Sequence, residues 1–407
     1  MKALVTGVTG FVGSRLARAL VDRGDEVYGF ARKRADHSLP KRLVEQGILD
    51  NITLLNGDLT DLTSLISAVH KSEPDLVFHL GAQSYVPRSF TDPLETFRVN
   101  SQGTQNLLEA IRLKGANPKI VFAGSSEEYG LQIAHEKHLE LCQIDARYIF
   151  PEAEQVPELP INEKNFLRPL SPYAVSKITG DHLMRNYHSV YGLRTVVSRG
   201  FNHEGAGRGD HFVTSEITCQ GVALSHGEQD QINIGNVNSF RDWSHVEDIV
   251  DGYLLLAERG RDGDVYVQGS KRTNSVLTYI MWTLEVLGYE IDNLETGTTL
   301  KYGDPAEIAP DPWYGIEFEK TRMDNLLLGG RLTFTPADKG LIVKTNKGNV
   351  KINIDPARFR PADVPVLFSD TSKIEKIGFE VKYSVKDIIW DQVNFYLNPE
   401  NRGVRNI

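Results

Sequence analysis

The chain has 407 residues, 40% of them hydrophobic and 24% charged, enough for one large or two medium domains around a sizeable core. Lys and Arg number 45 against 54 Asp and Glu, a net charge of −9 spread along the chain, which is the opposite of a nucleic-acid binder's balance. Two cysteines, Cys142 and Cys219, exclude a disulfide framework and point to a reducing, cytoplasmic compartment, and no stretch approaches the roughly 18 uninterrupted apolar residues that span a bilayer. Met1-Lys2-Ala3-Leu4-Val5 runs straight into a strand pattern, so no secretory leader is expected.

Taken in order, Ala3-Leu4-Val5 predicts the first strand, and Val12, Leu16 and Leu20 recur at helical spacing behind it. Between the two lies Thr6-Gly7-Val8-Thr9-Gly10-Phe11-Val12-Gly13. Glycines placed between strand and helix let the backbone approach a pyrophosphate at a helix N-terminus, which marks Gly7, Gly10, Phe11, Val12 and Gly13 as a dinucleotide site. The spacing Gly-x-x-Gly-x-x-Gly resembles that of the short-chain dehydrogenase/reductase proteins. The second strand, Glu26-Val27-Tyr28-Gly29-Phe30, ends not in the acidic residue that binds NAD ribose but in Ala31-Arg32-Lys33-Arg34. Positive charge there favours the 2′-phosphate of NADP, with Arg32 as its partner; read blandly, it is a solvated basic loop. The third strand, Ile52-Thr53-Leu54-Leu55, leads to Asp58 and Leu59, where the resembled family binds the adenine. Asp58 equally suits a helix N-cap.

Leu76-Val77-Phe78 predicts the fourth strand, and the resemblance assigns Leu80 and Ala82 after it to the cofactor and Ser84 to the substrate. A helix carrying Thr104, Leu107, Leu108 and Ile111 leads to a fifth strand, Ile120-Val121-Phe122-Ala123. That strand ends in Gly124-Ser125-Ser126-Glu127-Glu128-Tyr129-Gly130, at the sheet edge where open α/β folds bind ligands. On an extended segment Ser125 and Glu127 would point the same way. Ser171-Pro172-Tyr173-Ala174-Val175-Ser176-Lys177 reads as a helix start, Ser171 capping and Pro172 at the first position, with Tyr173 and Lys177 on one face. An ammonium beside a phenol lowers the phenol's pKa, making Tyr173 a base. A Tyr-x-x-x-Lys occurs about once by chance in a chain this size, so its place before a sixth strand, Thr195-Val196-Val197-Ser198, is what gives it weight.

The alternation predicts an α/β fold, a doubly wound parallel sheet over about residues 1–200 with a return at about 236–262. Residues 201–407 predict a smaller α/β substrate domain. Within it, Arg331 to Thr335, Leu341 to Lys344 and Val350 to Ile354, separated by turns, predict a small antiparallel β-meander in an insertion over about 301–350.

Ser125, Tyr173 and Lys177 resemble the Ser/Thr, Tyr, Lys triad of the short-chain dehydrogenase/reductase superfamily, whose fold is the NAD(P)-binding Rossmann fold, and Glu127 adds a second acid/base. Phe201-Asn202-His203-Glu204 through Arg208 to Val213, and Arg241-Asp242-Trp243-Ser244-His245, resemble the GDP-mannose 4,6-dehydratases of the NAD-dependent epimerase/dehydratase family. The resemblance implies NADP as cofactor, NAD as the alternative, and a GDP-linked nucleotide sugar as substrate. It implies Asn202, Arg208, Arg241 and Arg360 at the diphosphate, Val213 at the substrate and Asp363 near the ribose. It also implies a homodimer or homotetramer, since the Arg32-Lys33-Arg34 loop resembles one that crosses subunits in tetrameric relatives. The same residues are similar to those of GDP-4-keto-6-deoxy-mannose reductases, and of family epimerases and decarboxylases. A scaffold or sensor that binds NADPH without turnover is the non-enzymatic alternative; its signature would be loss of the triad.

Two segments fall outside the resemblance. Tyr129 and Tyr173 are 44 positions apart, longer than in the family, and residues 301–350 carry Trp313-Tyr314. Either segment is placed to lid the sugar pocket, to join subunits or to decorate the surface. His135, His138 and Cys142 would share a helical face, but their spacing fits no metal motif, and no metal is expected. His203 and His245 read as hydrogen-bonded structural residues rather than acids.

Overall fold

In the computed structural model, which describes residues 1–32, 38–144, 149–298, 300–359 and 363–402, the predicted alternation closes into one parallel sheet. The six predicted strands are present as β1 (Lys2–Thr6), β2 (Glu26–Ala31), β3 (Ile52–Asn56), β4 (Leu76–His79), β5 (Lys119–Ala123) and β6 (Arg194–Gly200). A seventh strand, Asp264–Gln268, pairs in parallel with β6 and was not expected from the sequence. The order is that strand, then β6-β5-β4-β1-β2-β3. The chain therefore departs in opposite directions from β1 and β4, and a crevice opens at their carboxyl ends.

Alternate residues of each strand feed two cores, as a two-residue period requires. Ala3, Val5, Phe78 and Val121 meet Leu16, Leu20, Ile249 and Tyr253 on one face; Leu4, Val77, Ile120 and Phe122 meet Leu65, Leu107, Leu108 and Met184 on the other. Leu16 and Leu20 on helix α1 (Phe11–Asp22) are fully buried. Each such leucine is worth about 1.5–3 kcal/mol, more than the ~0.7 kcal/mol range of ordinary helix propensities, so packing rather than propensity fixes α1.

The meander is corrected. Arg331–Thr335 forms no strand; its Phe334 amide and carbonyl are instead bound by the Asn238 side chain, at 2.8 Å each. Strands Leu341–Thr345 and Gly348–Ile354 do form an antiparallel hairpin. It belongs to a five-stranded mixed sheet with Lys301–Gly303, Ile291–Thr296 and, in parallel, Gln231–Ile234.

The long gap after Tyr129 is a side excursion. Gly130 bridges Arg168, so the chain leaves and returns at one point; a Cβ on Gly130 would sit 1.8 Å from the Arg168 carbonyl oxygen, and its φ is +52°. Inside the excursion, Arg168 grips Glu158 through two bonds of 2.7 Å, both residues buried. The excursion packs on the second insertion, with the Tyr314 hydroxyl donating to Ala134 O at 2.7 Å and Lys137 Nζ to Gly330 O at 3.0 Å. Trp313 stacks on Phe240 with ring centroids 6.1 Å apart.

Candidate active site

The crevice is a cleft of about 540 Å³ whose floor is the glycine turn between β1 and α1. Gly7 has φ +72°, and a Cβ there would lie 2.8 Å from the Gly81 nitrogen; a Cβ on Gly13 would lie 2.2 Å from Gly7 O. Only glycine lets the turn, the helix and the end of β4 come this close. Gly10 occupies the cap position of α1 without a side-chain cap, so the first amides of the helix open into the cleft. Thr6 Oγ1 accepts from Gly81 N at 3.0 Å and pairs with His79 Nδ1 at 2.8 Å, which locks β1 to β4 at the point where the sheet order reverses. Phe11, Val12, Arg32, Asp58, Leu59, Leu80 and Ala82 line the same cleft. Asp58 Oδ1 accepts from the Thr60 amide and hydroxyl at 2.8 Å each. Those bonds, with Arg32 nearby, hold its carboxyl below the usual range. The cap of helix Leu62–Ser72 is Asp61 rather than Asp58. Lys33, Arg34 and Arg360 lie outside the described residues. The glycine cradle, open helix amides and Arg32 suit a dinucleotide carrying phosphate.

On the opposite wall, Ser171 caps helix Pro172–Tyr191 by accepting from Ala174 N at 3.1 Å, as its sequence predicts, and Tyr173 and Lys177 face the cleft from the first turns. Asn100 steadies this wall, donating to Ser176 Oγ at 2.9 Å and to Gln83 O at 3.0 Å. Beyond β5 the chain is not extended. The Ser125 hydroxyl and the Glu128 carboxyl form a capping box that winds Ser126–Glu128 into a helical turn, yet Ser125 and Glu127 still both line the cleft. The Tyr173 phenol bonds the Ser125 hydroxyl. Lys177 Nζ donates to Ala123 O at 2.7 Å and sits 6.0 Å from the Tyr173 ring centre. The expected lowering of Tyr173 by Lys177 is therefore corrected: burial raises the phenol well above its ordinary value, opposed by the Ser125 hydrogen bond and by Arg208. Burial also pushes Lys177 down to about 8.

Asn202, Arg208, Val213, Arg241 and Ser84 complete the cleft. Asn202 Oδ1 and Arg208 Nε are buried and make no hydrogen bond among the described residues. The Arg208 guanidinium lies 3.7 Å from the Phe212 ring centre and 5.2 Å from that of Phe11, so it bridges the glycine turn and the substrate wall. Arg241 Nη2 donates to Asp363 Oδ1 at 2.8 Å, and Asp363 Oδ2 accepts from Ser239 Oγ at 2.6 Å. Asp363 thus stands behind Arg241 rather than on the cleft surface. Burial holds His203 at about 3, a neutral ring whose Nδ1 meets Phe201 O at 2.9 Å. His245 caps the next helix through Nδ1 and faces Asp391 at 3.3 Å. Both histidines are hydrogen-bonded, as expected.

Residues 3–269 match the family model described as NAD dependent epimerase/dehydratase family, and residues 154–392 match the one described as GDP-mannose 4,6 dehydratase. The chain belongs to the GDP-mannose 4,6-dehydratase family. It is 31% identical over 401 residues to the GDP-mannose 4,6-dehydratase of Sinorhizobium fredii, covering 96% of this chain and 95% of that one. It is 32% identical over 399 residues to that of Vibrio cholerae, covering 96% and 92%. Solved structures with the same fold include RMD from Pseudomonas aeruginosa complexed with NADPH, at 21% identity and TM-score 0.64 over 97% of this chain and 99% of that one. UDP-glucose 4-epimerase from Thermotoga maritima with UDP-glucose aligns at 20% identity and TM-score 0.67, over 98% and 100%.

Within this member of the GDP-mannose 4,6-dehydratase family, several cleft residues escaped sequence reasoning. Tyr85 and Arg88 follow β4, and Tyr85 meets His211 edge-on at 4.4 Å between ring centres. Glu204 is buried, accepts from Thr214 Oγ1 at 2.7 Å and faces Arg208 at 3.5 Å. Tyr253 enters from beneath the sheet. The signal for Tyr85 was its place after a strand's carboxyl end; Tyr253 had none, because only the packing of its helix brings it there. Neither insertion contributes a residue to the cleft lining among the described residues. His138 Nδ1 accepts from Ala134 N at 3.2 Å, and Cys142 is buried in a small apolar cluster, so these side chains serve the excursion's own packing.

Proposed function

We propose that this chain is a nucleotide-sugar 4,6-dehydratase converting GDP-mannose to GDP-4-keto-6-deoxy-mannose, a hydro-lyase. The observation that carries the reading is the convergence of a phenol, a hydroxyl and a separate carboxylate, Tyr173, Ser125 and Glu127, on a cleft floored by a dinucleotide cradle. A nicotinamide dinucleotide held on that cradle would supply the hydride acceptor for C4 and the donor for C6, leaving loss of water as the net change. Tyr173 takes the C4 hydroxyl proton while Ser125 holds the C4 oxygen. Once C4 is a ketone, its neighbouring C5 proton is acidic, and Glu127 removes it and delivers it to the departing C6 hydroxyl, which leaves as water. Glu127 then returns a solvent-derived proton to C5, while Tyr173 releases its proton to solvent. Lys177 contributes positive charge beside the reacting carbons. Asn202 and Arg208 hold the diphosphate, Arg208 by charge-assisted bonds; Arg241 does the same, oriented by Asp363. Arg360, Val213 and Ser84 complete the substrate side. Gly7, Gly10, Phe11, Val12, Gly13, Asp58, Leu59, Leu80 and Ala82 hold the dinucleotide.

The deciding experiment incubates the purified chain with GDP-mannose and catalytic NADP⁺, following product mass and reduced-cofactor absorbance together. Loss of one water at constant absorbance is expected. GDP-mannose left untouched, with GDP-4-keto-6-deoxy-mannose consuming NADPH stoichiometrically, would overturn the dehydratase in favour of a reductase.

NADP is the proposed cofactor on the strength of Arg32 at the end of β2. One charge-assisted hydrogen bond is worth about 1.5–3 kcal/mol, so Arg32→Ala is expected to cut the preference for NADP⁺ over NAD⁺ by about ten- to a hundredfold. Dissociation constants for both dinucleotides check this, and an unchanged ratio would remove Arg32 from the phosphate site.

We assign residues 1–200, with the return at about 236–262, to the dinucleotide and most of 201–407 to the nucleotide sugar. We propose a cytoplasmic location from the scarcity of cysteine in the sequence. No helix among the described residues is long and apolar enough to cross a membrane. A homodimer or homotetramer is supported by Leu94, 86% exposed, with Phe97 on the same helix and Val175 on helix Pro172–Tyr191 also exposed. A monomer by sedimentation at micromolar concentration would remove that assembly.

A further inference from the structure

The turn Gly205-Ala206-Gly207-Arg208, which carries the substrate arginine of the cleft, is tied down from outside it. Gly205 and Gly207 have φ of +149° and +72°, and Arg208 N donates back to Gly205 O at 3.2 Å, so the backbone reverses on two glycines that give it little stiffness of their own. Neighbours supply it. Arg15, on α1, donates from Nη2 to Ala206 O at 2.5 Å, and Arg42, on helix Lys41–Glu45, donates to Gly207 O at 3.2 Å. From the other side Asp391, on helix Val385–Leu397, accepts from Ala206 N at 2.6 Å. Ala206 is thus held by its carbonyl from the dinucleotide half and by its amide from the substrate half.

The two holders are themselves fixed. Arg15 Nη1 donates to Phe11 O at 3.2 Å and its Nε pairs with Glu247 at 3.2 Å, so all three guanidinium nitrogens are engaged. His245 Nδ1 accepts from Glu247 N, which places a ring proton on Nε2, 3.3 Å from the Asp391 carboxylate. A Cβ on Gly205 would lie 3.0 Å from that same carboxylate oxygen. Phe11, in the dinucleotide cradle, has Arg15 at 4.5 Å and Arg208 at 5.2 Å from its ring centre. Arg15 and Asp391 do not themselves line the cleft.

Resting on the reading that Arg208 holds the diphosphate of a nucleotide sugar, we propose that Arg15 and Asp391 are positioning residues that clamp Ala206 between the two halves and thereby set Arg208 at the diphosphate. The Arg208 side chain lies against Phe212 and Phe11, and its buried Nε makes no hydrogen bond among the described residues, so the place of its charge follows the place of the turn. The test uses the full chain saturated with NADP⁺ and reads GDP binding by calorimetry. Arg15→Met is expected to raise the GDP Kd by about tenfold, the lower end of what one charge-assisted hydrogen bond contributes, while the Kd of NADP⁺ holds. In an Arg208→Ala background the same substitution is expected to change the GDP Kd by less than about twofold, because its effect passes through Arg208. In turnover the loss falls on KM rather than kcat, and Arg15→Lys, which keeps a donor for Ala206 O, recovers part of it. An unchanged GDP Kd in Arg15→Met, or the full loss in the Arg208→Ala background as well, would overturn the proposal. So would an equal loss of NADP⁺ binding, which would mean that Arg15 only holds α1. If Arg15→Met does not fold, Asp391→Ala decides by the same measurements, since it releases the Ala206 amide instead. If the wild type binds no GDP, the reading of Arg208 at the diphosphate fails, and the clamp is read without ligand. Trypsin cleavage after Arg208, identified by fragment mass, is then expected to quicken about tenfold in Arg15→Met as the turn opens more often; an equal rate overturns the clamp too.

Discussion

Tyr173→Phe is expected to lower kcat by about 10²–10⁴-fold, the range a positioned general base contributes, with binding of the dinucleotide and of GDP-mannose nearly unchanged. The substitution removes one oxygen and keeps the ring that fills the start of helix Pro172–Tyr191, where Tyr173 is 8% exposed. No cavity opens, and the Ser125 hydroxyl freed from the phenol still faces the cleft, where water replaces its partner. The loss in stability is therefore about 1 kcal/mol or less. Burial sets the phenol well above its ordinary value, only partly offset by Ser125 and Arg208, so in the wild type activity climbs with pH as the proton leaves. In the phenylalanine variant this limb disappears. Steady-state kinetics across pH, with thermal unfolding as the control, measure both effects. Retention of full biological activity by the variant would mean that the protein acts by binding dinucleotide rather than by turnover.

Where a residue's function follows from its chain neighbours, the sequence was enough. Gly7, Gly10 and Gly13 are readable because the backbone conformation they permit is local, and Ser171 with Pro172 announces the helix that carries Tyr173 through a cap only three residues long. All six strands of the first half were readable for the same reason: each is a short apolar run set between helical periods. The seventh, Asp264–Gln268, was missed because its partner is β6, far back in the chain, and nothing in its own five residues shows that edge. Distance likewise hid the pairing of Arg241 with Asp363, 122 positions apart, which makes Asp363 a support for the arginine. Ser125-Ser126-Glu127-Glu128 shows the limit most clearly. Two adjacent glutamates look alike in sequence, and a capping box sends one to the cleft and the other into the interior. Of the roles left open for the insertions, lining the cleft is not met among the described residues: Gly130 and Arg168 close the excursion on itself.

Glu127→Gln separates the two proton transfers that the proposed reaction needs. Glutamine has nearly the same volume and still accepts a hydrogen bond, but it cannot take the C5 proton. Because Tyr173 and Ser125 are untouched, the oxidation at C4 remains possible, and the block falls on the elimination. Overall turnover is expected to drop by about 10²–10⁴-fold, with binding of GDP-mannose retained. In heavy water the wild type exchanges the C5 hydrogen for deuterium, and the variant does not; mass and proton spectra of the recovered sugar nucleotide separate the cases. Glu128→Gln provides the contrast, since its carboxyl lies behind Ser125 and does not line the cleft, so C5 exchange persists there. If Glu127→Gln kept both exchange and turnover, the carboxylate would have no part in the elimination. The C5 proton would then have another acceptor among the groups that line the cleft.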